Sequence, residues 1–73
     1  MEHWQHNVTT LDQILRKALA KETQARDFYA KLALACPVNF VIELLEKLGD
    51  EEGKHMHMIQ EMRVRLEAGE NVV

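Results

Sequence analysis

Residues 41–66 read VIELLEKLGDEEGKHMHMIQEMRVRL, a stretch without proline. Alternating steps of four and three residues along it meet apolar side chains at all but two positions. The series is Val41, Leu45, Leu48, Glu52, His55, Ile59, Met62 and Leu66. Apolar residues at this spacing predict a long helix that buries one side against another helix. The polar members Glu52 and His55 therefore need a reason to lie in the predicted seam.

The preceding part of the chain repeats the pattern. Its series is Leu11, Leu15, Ala18, Glu22, Ala25, Tyr29 and Leu32. Again the spacing is that of a helix packed along one side, and again a charged residue, Glu22, interrupts an otherwise apolar or aromatic seam. We therefore predict two helices of similar length, each with acidic character at one point of its packed side.

Signals at the ends of the two patterns mark the helix boundaries. Thr10 is a favourable N-cap residue just before the first apolar position, and Pro37 interrupts the chain between the patterns. Gly69 follows the last apolar position, where helices commonly end. We expect helix 1 over about residues 10–35 and helix 2 over about residues 38–68. The short connection predicts an antiparallel hairpin, and the 73 residues form one all-α domain.

Composition and charge exclude several classes of protein. Apolar residues make up 47% of the chain and charged residues 29%, which is typical of a globular protein. The net charge of −3, with basic and acidic residues interleaved, argues against nucleic-acid binding. No apolar run approaches the roughly 18 residues of a membrane span. A single cysteine, Cys36, and a start without a signal-peptide pattern predict a cytoplasmic protein with a free thiol.

The apolar stripe is wider than one partner helix can cover. Further apolar residues flank the two seams: Ile14, Leu19, Phe28, Leu44, Met56 and Met58. A chain of this size buries too little surface to form a deep core of its own. We therefore predict at least a homodimer, in which two hairpins pack as a four-helix bundle.

The polar seam residues predict a metal site. Glu22 and Glu52 each lie about fifteen residues from the expected turn, so an antiparallel hairpin sets them at the same height. His55 follows Glu52 at i+3 and shares its helix face. Ionised carboxylates inside a bundle cost on the order of several kcal/mol unless they are paired or bind metal, and neither seam contains a Lys or Arg. A metal ion bound by these three residues would remove that cost.

A two-fold dimer would duplicate the three ligands around its axis. Four carboxylates and two imidazoles are the ligand set of di-iron and di-manganese carboxylate bundles. Their four negative charges would balance two divalent ions. We therefore predict two metal ions per dimer, with iron or manganese favoured by the oxygen-rich ligands and zinc also able to bind. The alternative is that the three polar residues only fix the register of a metal-free dimer.

These residues resemble the ferritin-like superfamily, and within it the two-helix encapsulated ferritins and the rubrerythrin-like proteins. The likeness is carried by Glu22 in LAKETQARDFYAKLALAC and, thirty residues later, by Glu52 and His55 in LGDEEGKHMHMI. Residues 27–29, DFY, match an Asp-aromatic-Tyr run of that family. The resemblance implies a ferroxidase that oxidises iron(II) with oxygen at a subunit interface. It also implies dimers that assemble into larger rings, often inside an encapsulin-type protein nanocompartment.

Three functions are consistent with this pattern. The leading hypothesis is a di-iron ferroxidase for iron storage or detoxification, with Glu22, Glu52 and His55 as both metal ligands and catalytic residues. A rubrerythrin-like scavenger of peroxide or oxygen would keep its metals and need an electron donor, and no cysteine-rich rubredoxin segment is present to supply one. The third hypothesis, from a different class, is a metal-free helical dimerisation module.

Several other residues carry weaker expectations. Helical side chains lean toward the N-terminus, so the Tyr29 hydroxyl could approach Glu22 and support it or act as a weak ligand. His57 lies farther around helix 2 and is expected on the surface. His3 and His6 form an H-x-x-H pair in a stretch without periodicity, where we expect a mobile terminus, with a metal or partner contact as the alternative.

Overall fold

The protein is a hairpin of two long antiparallel helices. A computed structural model describes residues 8–69, in which α1 spans Val8–Ala35 and α2 spans Asn39–Glu67. Their 28 and 29 residues make each helix about 42 Å long at 1.5 Å per residue. The predicted all-helical hairpin is confirmed. Neither described helix has an apolar stretch long enough to cross a membrane.

The connection is as short as the position of Pro37 predicts. Residues 36–38 join the helices, and Val38 has an extended backbone with φ −111° and ψ 116°. Its carbonyl oxygen accepts hydrogen bonds from the N–H groups of Val41, at 3.1 Å, and Ile42, at 3.0 Å. At the other end of the hairpin, α1 is already helical at Val8, so Thr10 lies in its first turn rather than at the predicted cap position.

Gly69 ends α2 as the sequence predicts. Its φ of +82° lies in the left-handed region, which glycine adopts without the steric cost that a Cβ would add. Its N–H donates to the carbonyl oxygen of Leu66 over 3.0 Å, and the N–H of Ala68 donates to that of Val64 over 3.0 Å. These bonds satisfy carbonyl groups that the last turn would otherwise leave free.

The helices pack along one stripe each, and no side chain among residues 9–69 is fully buried. The half-buried residues of α1 are Leu11, Asp12, Leu15, Leu19, Glu22, Thr23, Ala25, Tyr29 and Ala33. Those of α2 are Val41, Ile42, Leu45, Leu48, Gly49, Glu52, Gly53, Met56, Ile59, Arg63 and Leu66. Two helices alone cannot enclose either stripe.

The packed stripe differs from the predicted seam at four positions. Four residues predicted to lie in the seam are exposed: Ala18, Leu32, His55 and Met62. Their places in the stripe are taken by the next residue along each helix, namely Leu19, Ala33, Met56 and Arg63. Apolar side chains occupy both sets of positions almost equally, so the sequence pattern alone does not decide which set faces the partner helix. The residues of the set that does not face the partner helix are exposed.

Most of the large apolar side chains that are exposed among residues 9–69 lie on one side of the hairpin, whereas Leu34 and Val64 lie on the other. At 100° per residue, the side to which His55 points also carries Ile14, Phe28, Leu32, Leu44, Met58 and Met62, all of them exposed. We name this side the His55 face. The opposite side, the Arg63 face, carries Asp12, Arg16, Thr23, Gly53 and Arg63. The His55 face is therefore mixed, with Lys21 and Glu51 among its apolar residues, and the Arg63 face carries the exposed Leu34 and Val64 beside its polar residues.

Candidate metal centre

Glu22, Glu52 and His55 meet halfway along the hairpin. The Nδ1 atom of His55 lies 3.2 Å from Oε1 of Glu22, across the helix pair, and 3.2 Å from Oε1 of Glu52, on its own helix. One possible ligand atom from each residue lies within 4.8 Å of the other two. Within residues 8–69, no other three His, Cys, Asp or Glu side chains converge in this way.

The short turn explains why these residues meet. Glu22 is the fourteenth residue from the end of α1, and Glu52 is the fourteenth residue of α2. Equal distances from a tight connection set the two carboxylates at the same height. His55, three residues after Glu52, lies almost one turn farther along the same side of α2. The cluster that the spacing predicts is therefore formed within one chain.

The cluster is shielded on one side and open on the other. The side chains of Glu22 and Glu52 are 27% and 20% exposed, whereas that of His55 is 46% exposed. The carboxylates lie between the helices, and the imidazole extends from them toward the His55 face. Water therefore reaches the cluster from the His55 face.

The two carboxylates and the imidazole strongly influence one another's protonation. The hydrogen bond with Glu52 holds the pKa of Glu22 below its usual value, with a further contribution from His55. The same contact with Glu22 raises the pKa of Glu52, and partial burial adds to that effect. The Glu22 carboxylate likewise raises the pKa of His55. Two carboxylates at such close range favour holding a proton between them.

The donor atoms fit a divalent metal ion. Carboxylate oxygens and an imidazole nitrogen are the ligands that iron(II), manganese(II) and zinc bind in proteins. Because Nδ1 of His55 faces both carboxylates, a cation between them would replace the protons that relieve their repulsion. Three donors on one side leave part of the coordination shell for water or for another chain.

Comparisons with known proteins identify no relative. No protein-family model, curated protein or solved structure matches this chain. The likeness to ferritin-like proteins therefore rests on the residues of the cluster and their spacing.

The structure places Tyr29 in an aromatic contact. Its ring packs against that of Phe28, with 5.6 Å between the ring centres. Its Cβ would lie 3.8 Å from a Cβ placed on Gly49, and the two residues line a surface groove together with Arg26. Between the described residues, no hydrogen bond joins Tyr29 to Glu22. A supporting role for its hydroxyl stays a prediction from the sequence.

The remaining histidines and the cysteine lie outside the cluster. His57 is exposed, as predicted, and its Nε2 lies 3.3 Å from Oε2 of Glu61 one turn farther on. Cys36 is a half-buried free thiol at the connection between the helices. His3 and His6 lie outside the described residues.

The sequence pattern missed one polar contact between the helices. Arg63 Nε donates to Asp12 Oδ1 over 2.9 Å, and both side chains lie mostly between the helices. Opposite charges at similar distances from the turn were a signal for this pair. The contact was missed because the heptad spacing assigns Met62, rather than Arg63, to the seam.

Proposed function

We propose that this chain is half of a di-iron ferroxidase, which oxidises iron(II) with oxygen for iron storage or detoxification. The observation that carries the proposal is the meeting of Glu22, Glu52 and His55 midway along the hairpin, within 4.8 Å of one another. Three convergent ligands without a Lys or Arg among them favour binding a cation over a purely structural contact.

A second copy of the chain is the partner that best completes the site. The cluster opens onto the His55 face, and that face carries most of the large apolar side chains that are exposed among the described residues. Covering it with an identical face would exclude water from the cluster and shield apolar side chains such as Phe28 and Leu44 in one step. The resulting four-helix bundle would contain four carboxylates and two imidazoles around two metal ions.

In the proposed dimer, the two copies of the cluster would hold two iron(II) ions close together. The carboxylates balance their charge, and His55 gives each ion a nitrogen ligand. Two iron(II) ions then supply one electron each to dioxygen, which takes up two protons and leaves as hydrogen peroxide. Manganese could also occupy this ligand set, whereas zinc has no redox chemistry to offer. Larger rings and enclosure in a cytoplasmic protein shell are further expectations from the family resemblance.

Anaerobic titration with iron(II), followed by oxygen, tests the proposal. We expect one iron per chain and rapid oxidation, observed as ultraviolet absorbance of the ferric product. Glu52→Ala should lose both. Asp50→Ala is the matched control, because Asp50 is an exposed carboxylate two residues before Glu52 and so lies on a different side of α2. No binding to the wild type, or equal losses in the two variants, would contradict the proposal.

A metal-free dimerisation module is the second candidate. One observation favours it: His55 already contacts both carboxylates at 3.2 Å, so a protonated imidazole can balance their charge without a metal. Thermal melting distinguishes the two functions, because a metal that binds the folded state raises the melting temperature. The ferroxidase should melt higher with iron(II) or manganese(II) than with a chelator, and the metal-free module should melt at one temperature in both.

A peroxide scavenger would use the same cluster in a different way. Its iron would stay bound after oxidation and return to iron(II) when a reductant is supplied. A storage protein would release the oxidised iron and accept fresh iron(II). Repeated additions of iron(II) in air therefore separate these two uses: continued rapid oxidation supports storage, and a single round followed by slow oxidation supports scavenging.

A further inference from the structure

A second polar contact joins the helices toward the open end of the hairpin, on the Arg63 face. Asp12 accepts from Arg63 Nε over 2.9 Å and from Arg16 Nε over 2.7 Å. Arg63 is also held by Gln60, whose Oε1 lies 3.3 Å from its Nη1. The Asp12 and Arg63 side chains are only 17% and 20% exposed, whereas that of Arg16 is 66% exposed. The contact between the helices is thus much better shielded than the contact within α1.

Among residues 8–69, the Asp12–Arg63 contact is the shielded ion pair that joins the two helices toward the open end of the hairpin. Residues 36–38 hold the helices at the turn, but Asp12 lies more than twenty residues before that turn. The apolar contacts at the open end are non-directional, and leucines one turn apart can replace each other. A slide of one turn, about 5.4 Å, would exceed the 3.2 Å that joins His55 to Glu22.

We propose that Asp12 and Arg63 are a positioning pair, which closes the open end of the hairpin in register and so keeps Glu22 opposite Glu52 and His55. Neither residue touches the cluster. The pair opposes sliding because a slide would leave the shielded Arg63 guanidinium with only the neutral Gln60 as a partner, although Asp12 would keep Arg16. The ion pair also forms only over a narrow range of distance. Its effect on metal binding rests on the proposed function, but its effect on register does not.

Distances between spin labels test the register without any metal. Cysteines introduced by Lys21→Cys and Lys54→Cys, in a Cys36→Ser chain, place labels on both helices beside the cluster. Dilution with unlabelled chain restricts the measurement to distances within one hairpin. We expect one narrow distance for the otherwise unchanged protein. Arg63→Met, which keeps an unbranched stem and removes the guanidinium, should broaden that distance or shift it by up to about 5 Å.

Two further variants make the test specific. Arg16→Met also removes an arginine from Asp12, but the lost contact lies within α1, so the distance should stay narrow. Arg63→Lys keeps the cation and should restore most of the narrow distribution. A distance unchanged by Arg63→Met, or broadened equally by Arg16→Met, would overturn the positioning role.

Metal binding separates this proposal from the proposed function. Where the wild type binds iron(II), Arg63→Met should bind it at least about 10-fold more weakly, because a hairpin with variable register holds the three ligands together only part of the time. Arg63→Lys should recover most of the affinity. A wild type that binds no iron(II) would overturn the ferroxidase proposal, and the label distances would still decide whether the pair fixes the register.

Discussion

His55 has the contacts expected of a metal ligand, and His57 has those of a surface histidine. Its Nδ1 faces both carboxylates at 3.2 Å, while His57 contacts only Glu61 on the outer surface. We predict that His55→Ala lowers the affinity for manganese(II) by at least about 100-fold, whereas His57→Ala changes it less than about twofold. Paramagnetic titration of manganese(II) against each variant measures both values. Similar affinities for the two variants would remove His55 from the ligand set.

Tyr29 tests whether a residue without a described hydrogen bond to Glu22 supports the reaction. Its ring lies against Phe28 and beside Gly49 rather than on a carboxylate. We therefore expect Tyr29→Phe to bind iron(II) and to oxidise it at the wild-type rate, within about twofold, because the change removes only the hydroxyl. Stopped-flow oxidation of both proteins checks this. A slower reaction with unchanged binding would instead support the role that the sequence predicts for the hydroxyl.

The cluster could be predicted from the sequence because it depends on only two properties of the chain. Pro37 marks the turn, and equal distances from that turn bring Glu22 and Glu52 together in any antiparallel hairpin. The Asp12–Arg63 contact depends instead on which of two similar apolar stripes faces inward. Packing of whole helices decides that choice, and the differences in hydrophobicity along the sequence are too small to reveal it.

Two glycines, Gly53 within α2 and Gly69 just after its end, test helix propensity and backbone strain separately. A Cβ at Gly53 would meet nothing within 4 Å, so Gly53→Ala should raise the free energy of unfolding by roughly 0.5–1 kcal/mol. At Gly69 the φ of +82° makes any Cβ unfavourable, so Gly69→Ala should lower it by about 1 kcal/mol. Urea unfolding followed by circular dichroism measures both changes. A loss of stability in Gly53→Ala would mean that another group approaches that backbone.

The ion pair between the helices should make the hairpin sensitive to acid. The neighbouring Arg16, and then Arg63, hold the pKa of Asp12 below its usual value of 3.8. A lowered pKa means that the contribution of Asp12 is fully present above the usual value and is lost as the pH falls through the lowered one. Compared with Asp12→Asn, the wild type should therefore be more stable at pH 6 and lose that advantage below about pH 4.

Urea unfolding of the wild type and Asp12→Asn at a series of pH values measures this difference. Because both proteins share the other carboxylates, the effect of their protonation cancels in the difference between the two free energies of unfolding. Arg16→Met provides a control, because the Arg63 contact alone should retain part of the acid sensitivity. A difference that stays constant between pH 6 and pH 2 would show that Asp12 adds no charge-dependent stability.

Association of the whole molecule should depend on one face of the hairpin. Leu44 lies on the His55 face and Val64 lies on the other side of α2, and both are exposed. A charge on a face that packs against a second chain is strongly unfavourable, so Leu44→Asp should shift the protein from dimer toward monomer. Val64→Asp should leave the dimer intact. Sedimentation equilibrium measures both masses, and equal effects would mean that the His55 face is not the interface.

The lack of a fully buried side chain in residues 9–69 has a consequence for amide hydrogen exchange. A folded domain normally contains a set of slow amides beneath its core, which open only when the whole domain unfolds. One hairpin alone has no such core, so even amides beside Leu45 or Ile59 should exchange with deuterated solvent quickly. Slow amides should develop only as the protein is concentrated or loaded with metal, and they should be found first around Glu22 and Glu52.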